Sequence, residues 1–250
     1  MWNRKELKLQ AKDSLRVNYW KSFLITFILL ILTGGTGQSI NSRMKMGNSD
    51  VFNQFQDKLN GFFHMNLEVN PLVLGVLIAF IGLVVSVFAM AYFFFVINAF
   101  EVGGSKYFIT ARKTEGELKQ IVFSFQKGKY FPIIKAMAWK TLFQFLWFLL
   151  FVIPGIVKYY SYAMVPYLMA DNPNLDYKSA LKLSMHMTDG HKGKMFVLDL
   201  SFIGWFLLAA LTLGIGILFL MPYIFATKAE LYFALKNEAI QKGLIVPIEE

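Results

Sequence analysis

Three charged side chains stand within the last two long apolar runs of the sequence. Asp199 lies near the start of the run 196–213, and Lys228 and Glu230 lie late in the run 216–235. A charged side chain without a partner costs about 2.5–3.5 kcal/mol or more at mid-bilayer depth. These residues could relay a proton or bind a substrate, Asp199 and Lys228 could form an ion pair between two helices, or all three could stay solvated near the interface.

Other kinds of chemistry find little support in the sequence. Cysteine is absent, which excludes disulfides, thiolate metal sites and cysteine nucleophiles. His186 and His191 flank Asp189, but a spacing of five residues does not put both imidazoles on one face of a helix. Neither a Ser-His-Asp order nor a phosphate-binding loop is present. We therefore predict no catalytic residue, no metal site and no cofactor, and an enzyme is the weaker functional class.

Basic residues form a second group with a plausible role. Residues 1–18 have helical spacing, with apolar residues on one side and basic residues on the other, which predicts an amphipathic helix at the membrane surface. A turn near residue 190 carries further lysines that could meet anionic headgroups. The candidate contacts to anionic lipid are Lys5, Lys8, Lys12, Arg16, Lys192 and Lys194.

The composition identifies the elements that must position these residues. The chain is 56% hydrophobic, 17% aromatic and only 16% charged, whereas soluble proteins have about a quarter charged residues. The formal charge of +9 is spread between apolar runs, which argues against a nucleic-acid partner. We predict an all-α polytopic integral membrane protein with about six transmembrane helices and the interfacial helix at its start.

The apolar runs and polar intervals divide a single membrane domain into segments. The predicted transmembrane helices are 22–37, 71–100, 136–154, 156–170, 196–213 and 216–235. The predicted intervals are an extracytoplasmic loop 38–70, cytoplasmic loops 101–135 and 171–195, and a cytoplasmic tail 236–250.

Proline and glycine interrupt the two longest apolar stretches and predict two tight helical hairpins. The first break is Pro154 with Gly155, and the second is marked by Gly214 and Gly216. Pro166 and Pro222 occupy matching positions in two similar seven-residue segments, 164–170 and 220–226. These segments suggest that the hairpins are diverged copies, although short apolar matches also arise by chance.

The distribution of basic residues predicts the orientation in the membrane. With both termini in the cytoplasm, the cytoplasmic segments hold 21 of the 25 lysine and arginine residues when Lys140 and Lys228, at the adjoining helix ends, are counted with them. The four on the outer side are Arg43, Lys45, Lys58 and Lys158. Positive charge is retained on the cytoplasmic side of a membrane. We therefore expect a multi-pass membrane protein with both termini in the cytoplasm.

Several short motifs occur from the start of the chain to its last apolar run. They are Trp2-Asn3-Arg4-Lys5-Glu6-Leu7-Lys8, Asn18-Tyr19-Trp20-Lys21, Ile153-Pro154-Gly155-Ile156, Ala170-Asp171-Asn172-Pro173, Gly190-His191-Lys192-Gly193-Lys194 and Thr212-Leu213-Gly214-Ile215-Gly216. Together these motifs resemble an uncharacterised bacterial membrane-protein family, domain of unknown function 975. The resemblance covers almost the whole chain except the loop 38–70.

The resemblance implies architecture but no activity, because the family has none assigned. The first hairpin is also similar to the membrane domain of some glycerophosphodiester phosphodiesterases, which points towards lipids. Broken helices at membrane depth usually pack in protein or line a cavity. Our leading hypothesis is binding or movement of an amphiphilic ligand, a lipid or a peptide. The alternatives are a structural protein that recruits another membrane protein, and a lipid-modifying enzyme.

Overall fold

The computed structural model describes residues 2–32, 71–112, 116–212 and 214–245. The predicted loop 38–70, the end of the predicted first crossing (33–37) and residues 246–250 of the tail lie outside them. The described residues form helices and turns without a strand. The α-helices are α1 (Arg4–Leu32), α2 (Pro71–Tyr92), α3 (Asn98–Ala111), α4 (Tyr130–Leu150), α5 (Val152–Ser161), α6 (Val165–Asp171), α7 (Tyr177–Thr188), α8 (Lys192–Leu200), α9 (Ile203–Leu211) and α10 (Ile215–Gln241).

The chain divides into two compact units, Met1–Leu29 with Phe94–Glu250, and Leu30–Phe93. In the second unit, α2 carries apolar side chains that are exposed on every side, such as Leu72 and Phe88, so this helix requires an apolar solvent. In the first unit, α3 packs against α4, α6 and α10. Val102, Tyr107 and Tyr232 are fully buried there.

Membrane-spanning capacity follows from helix length and hydropathy. Within the described parts of the chain, 4 helical stretches are long and apolar enough to cross a membrane: Leu72–Ala111, Tyr130–Leu150, Lys192–Leu211 and Ile215–Gln241. The fold class is therefore that of an all-α polytopic membrane protein, as predicted. The count of six crossing helices stays a prediction.

The N-terminal helix α1 is longer than expected and continues from the amphipathic segment into the first apolar run, with a kink at Asn18. Leu7, Ala11 and Leu15 are buried at 2%, 0% and 7% exposure. The apolar side that we expected to meet the membrane surface therefore packs against protein. Only the basic side of this segment is therefore available for contact with lipid.

The first hairpin joins α4 to α5 through Phe151, which has an extended backbone. Pro154 lies in the first turn of α5, where its missing N–H breaks no helical hydrogen bond. A Cβ on Gly155 would meet the ring and the Cα of Phe148 within 3.0 Å, so this glycine permits the close approach of α5 to α4. The chain break therefore precedes the Pro-Gly pair by three residues.

The predicted fourth crossing, 156–170, is divided between two helices. The helices α5 and α6 have 10 and 7 residues and are separated by a turn, with Pro166 in the first turn of α6. They rise about 15 and 10 Å, and each is shorter than a hydrocarbon core of about 30 Å. Pro222, by contrast, lies inside the 27-residue helix α10, so the two similar segments have different local structures.

The second hairpin joins α9 to α10 at Gly214, which has a φ of +88° that favours glycine. The Gly214 N–H donates to the Ala209 carbonyl at 3.1 Å, and the Gly216 N–H donates to Thr212 Oγ1 at 2.9 Å. These bonds satisfy backbone groups where α9 ends. The tips of both hairpins bear exposed apolar side chains, including Ile153 and Leu211.

The intervals that we predicted as cytoplasmic loops contain packed helices. Within 101–135, α3 is largely buried, and a 3₁₀ helix, Leu118–Phe125, packs against it. Within 171–195, α7 packs against α4 and α5, and Ser184 donates a hydrogen bond to the Ser161 carbonyl at 2.7 Å. The polar composition identified the limits of these intervals, but it did not predict that their helices pack into the core.

Candidate functional site

A cavity of about 150 Å³ lies between the two hairpins and is lined by several ionisable side chains. We call it the charged cavity. Its walls come from α3, α4, the α5–α6 region, α8 and α10. Its ionisable lining residues are Glu101, Lys140, Tyr159, Tyr160, Tyr167, Asp199 and Lys228, and Pro166 also contributes to the wall.

The four charges of this cavity pair with each other. Lys140 Nζ lies 2.9 Å from Glu101 Oε1, which joins α4 to α3. Lys228 Nζ lies 3.8 Å from Asp199 Oδ1, which joins α10 to α8, and the Tyr160 hydroxyl donates to Asp199 Oδ2 at 3.1 Å. The cavity is therefore small and electrically balanced. Its charged groups are suited to holding the hairpins together, and they leave no unbalanced charge for a ligand.

We expect the Asp199–Lys228 pair to show a coupling free energy of about 1 kcal/mol, because both side chains are about two-thirds buried, at 31% and 32% exposure. The measurement is a double-mutant cycle of Asp199→Leu and Lys228→Leu, with unfolding by SDS in mixed micelles. The matched control is Asp189 with Lys192, 3.6 Å apart and with Asp189 81% exposed, for which we expect less than about 0.5 kcal/mol. Additive effects of Asp199→Leu and Lys228→Leu would contradict an energetic role for the pair.

Glu230 does not join Asp199 and Lys228. Its carboxylate is 3% exposed, and its Oε2 lies 2.9 Å from Nε of Arg112. It faces a different, polar cavity of about 600 Å³ formed by α1, α10 and the residues that precede α8. We call this the polar cavity. At its other side, His191 Nε2 lies 3.0 Å from Glu238 Oε1.

An apolar groove of about 420 Å³ lies between α1 and the second hairpin. Its lining is apolar apart from a few groups, and it includes Trp205, Leu208 and Phe219. Lys12 lies at this groove with its Nζ 6.0 Å from the centre of the Tyr223 ring. Gly216 also lines it, and a Cβ at this position would meet the Cα of Ala209 at 2.8 Å. A single cation therefore stands beside an apolar surface.

Lys8 lies near this groove and contacts the bend between α8 and α9. Its Nζ donates to Ser201 Oγ at 2.8 Å and lies 4.1 Å from the centre of the Phe202 ring. Burial, followed by the nearby charges of Arg4 and Lys12, lowers the pKa of Lys8. Lys8 is therefore engaged by protein, whereas the exposed Lys12 can meet an external anion.

The other predicted lipid contacts have separate surroundings. Lys5 is exposed, and Arg16 lies 3.9 Å from Asp13 on the exposed side of α1. Lys192 lies 3.6 Å from Asp189, and Lys194 is half-buried. The structure therefore brings Lys8 and Lys12 to the second hairpin and engages Lys192 with a neighbouring carboxylate.

Sequence analysis did not single out Glu101, Lys140 or Arg112. Lys140 stands inside the apolar run that begins at 136, a signal that could have identified it. Glu101 and Arg112 carry no such signal, because their importance comes from contacts with distant elements. In the described parts of the chain, no group of three or more His, Cys, Asp or Glu residues is placed to hold a metal ion.

Comparison with known proteins agrees with the family suggested by the motifs. The family model described as "Protein of unknown function (DUF975)" matches residues 148–239. This match supports the assignment to that family. The DUF975 segment contains both hairpin tips, Asp199 and Lys228, while Lys12 and Glu101 precede it. No curated protein matches the chain, and no solved structure matches it.

Proposed function

We propose that this chain is an integral membrane protein that binds an anionic amphiphile, with the apolar part in the groove beside the second hairpin and the acidic head against Lys12. The observation that carries the proposal is the placement of an exposed lysine at the edge of a groove of about 420 Å³ with an almost wholly apolar lining. Binding sites of this kind combine an apolar surface with a few polar groups that fix orientation. An acidic phospholipid has both features.

The charges of the site support a lipid with an acidic headgroup over a neutral one. Lys12 is exposed on α1, and the nearby Lys8 adds positive charge without being free to move. A basic residue near the surface contributes about 1 kcal/mol to attraction of anionic lipid. The groove is also a better site for an amphiphile than the charged cavity, whose charges are paired with each other and whose volume is only about 150 Å³.

Orientation and location form part of the same proposal. Placing both termini in the cytoplasm puts 21 of the 25 basic residues on that side. In a bacterial cytoplasmic membrane, the basic side of α1 would then meet the leaflet that faces the cytoplasm. Anionic headgroups there would lie within reach of Lys12.

The fluorescence of Trp205 offers a direct test, because this residue lines the groove. In a variant with the other four of the 5 tryptophans replaced by phenylalanine, brominated phosphatidylglycerol should quench Trp205 more strongly than brominated phosphatidylcholine. Lys12→Ala should reduce the preference about fivefold, since about 1 kcal/mol of attraction is lost.

Lys119→Ala is the matched control, because Lys119 is exposed on the 3₁₀ helix and does not line the groove. It should leave the preference unchanged. Equal quenching by the two lipids in the parent protein would overturn the proposal. If a hydrophobic peptide at low concentration relieves the quenching, the ligand of the groove is a peptide and not a lipid.

A further inference from the structure

The charged cavity contains a buried hydroxyl that the described part of the chain leaves without a partner. Tyr167 is 5% exposed and lines this cavity. No group among the described residues forms a hydrogen bond with its hydroxyl, and the oxygen keeps surface that water can reach, unlike the enclosed unpaired atoms of Trp2 and His191. Buried polar groups in proteins are almost always paired, so the Tyr167 hydroxyl points to a ligand or ordered water in the cavity.

The loose pair of Lys228 with Asp199 leaves hydrogen-bonding groups unused on both sides. Lys228 Nζ and Asp199 Oδ1 are 3.8 Å apart, which is too long for a hydrogen bond, and no other described group accepts one from this ammonium. Asp199 Oδ2 accepts from the Tyr160 hydroxyl, whereas Oδ1 faces only the distant ammonium. The cavity therefore offers N–H donors at Lys228 and an acceptor at Asp199. Both side chains are about one-third exposed, so a ligand can reach them.

The charge balance of the cavity limits the net charge of its ligand. Within the described lining, the ammonium groups of Lys140 and Lys228 stand against the carboxylates of Glu101 and Asp199. A ligand with a net charge would leave one charge in excess in a largely enclosed site, which is costly. A wholly apolar ligand would leave the Tyr167 hydroxyl without a partner. A zwitterion, which carries one anionic and one ammonium group, supplies partners and preserves the balance.

The volume and the apolar part of the wall limit the size of the ligand. The volume of about 150 Å³ equals that of an engineered protein cavity that holds benzene, so a ligand of about six heavy atoms fits. Leu198 and Phe225 also line the cavity, and they suit a methyl or methylene group. L-Alanine has this size and this combination of groups.

We propose that the charged cavity binds a small zwitterion with a primary ammonium group and an anionic group close to it. The anionic group accepts from Lys228 Nζ and from the Tyr167 hydroxyl, and the ammonium donates to Asp199 Oδ1. The Lys140–Glu101 pair, which is hydrogen-bonded at 2.9 Å, stays intact. The ligand is either a free amino acid or the headgroup of phosphatidylethanolamine, since both present this chemistry. The charged cavity shares no lining residue with the apolar groove, so the proposal does not depend on lipid binding there.

The test uses the full chain. L-Alanine, added in an isothermal titration in dodecyl maltoside, probes the free amino acid, and acetate and methylammonium serve as analogues with a single charge. Phosphatidylethanolamine in nanodiscs, compared by native mass spectrometry with phosphatidylcholine of the same acyl chains, probes the lipid headgroup, because the quaternary ammonium of phosphatidylcholine has no N–H donor. Saturable binding of L-alanine, or retention of phosphatidylethanolamine over phosphatidylcholine, is the expected result. The probe that binds identifies the source.

Two variants connect that binding to the cavity. Tyr167→Phe removes only the hydroxyl and retains the ring that stacks on Tyr232, with the ring centres 5.6 Å apart. Lys228→Gln removes the ammonium and keeps a polar side chain. Each should weaken binding about tenfold, because a hydrogen bond between charged or polar partners is lost. Tyr162→Phe alters an equally buried tyrosine that does not line the cavity, and it should change nothing.

Three results would overturn the proposal. They are the absence of binding by both probes, binding of acetate or methylammonium alone as tight as that of L-alanine, and binding that Tyr167→Phe leaves unchanged. If Lys228→Gln fails to fold, Tyr167→Phe decides, because it breaks no hydrogen bond within the described part of the protein.

Discussion

Replacing Arg112 with methionine is expected to lower the free energy of unfolding by about 3–5 kcal/mol. The Glu230 carboxylate is 3% exposed and lies 2.9 Å from Arg112 Nε, so the substitution leaves a buried charge without its partner. The guanidinium also lies 4.5 Å from the centre of the Phe233 ring and contributes a cation–π contact. Unfolding by SDS in mixed micelles measures the loss.

A second substitution separates the buried charge from the general effect of losing an arginine. Arg112→Met with Glu230→Leu should recover at least half of the lost stability, because no buried carboxylate then lacks a partner. Arg16→Met removes an arginine whose side chain is 83% exposed, and it should cost less than about 0.5 kcal/mol. A single Arg112→Met variant as stable as the parent would contradict the importance of this pair.

Alanine at Gly103 is expected to destabilise the protein by about 3 kcal/mol, although alanine ordinarily stabilises a helix. The added Cβ would collide with the backbone carbonyl of Ile121, which belongs to the 3₁₀ helix packed against α3. A backbone group cannot move aside without shifting the whole element. The melting temperature in detergent, followed by fluorescence, should therefore fall by several degrees.

The adjacent Gly104 provides the matched control. A Cβ at Gly104 would approach Cδ1 of Leu29 at 2.7 Å, and this atom is the end of a flexible side chain that can change rotamer. Gly104→Ala should therefore change stability by less than about 1 kcal/mol, since the gain in helix propensity offsets the contact. If the two alanine variants melt at the same temperature, the close contact of α3 with the 3₁₀ helix does not determine stability.

Much of the architecture could be predicted from apolar periodicity and composition. Helical class, the two chain breaks and the apolar side of α1 all follow from residue spacing. The partners of these surfaces cannot be predicted in this way, because a leucine side chain can be buried equally well against lipid tails or in a protein interior. Leu7, Ala11 and Leu15 formed a correct stripe on α1, but the stripe gave no information on whether lipid or protein would cover it.

The candidate sites show the same limit. Asp199 and Lys228 could be placed together because they sit on neighbouring arms of one hairpin at similar depth. Glu101 and Lys140 are separated by 39 residues and come from elements whose packing is set by contacts across the whole unit. Arg112 and Glu230 are even farther apart in the sequence. Local sequence patterns therefore predicted the pairing of Asp199 with Lys228. They did not predict ion pairs between residues that only the tertiary fold brings together.

The uncharged tips of the two hairpins have a consequence for biogenesis. No Asp, Glu, Lys or Arg occurs between Lys140 and Lys158, or between Asp199 and Lys228. The first hairpin places Lys158 near the far side in the predicted orientation, whereas the arms of the second hairpin can enter the lipid phase together as a folded loop without carrying an ionised side chain across. Insertion of the second hairpin should consequently proceed at the same rate whether or not the cell maintains an electrical potential across its membrane.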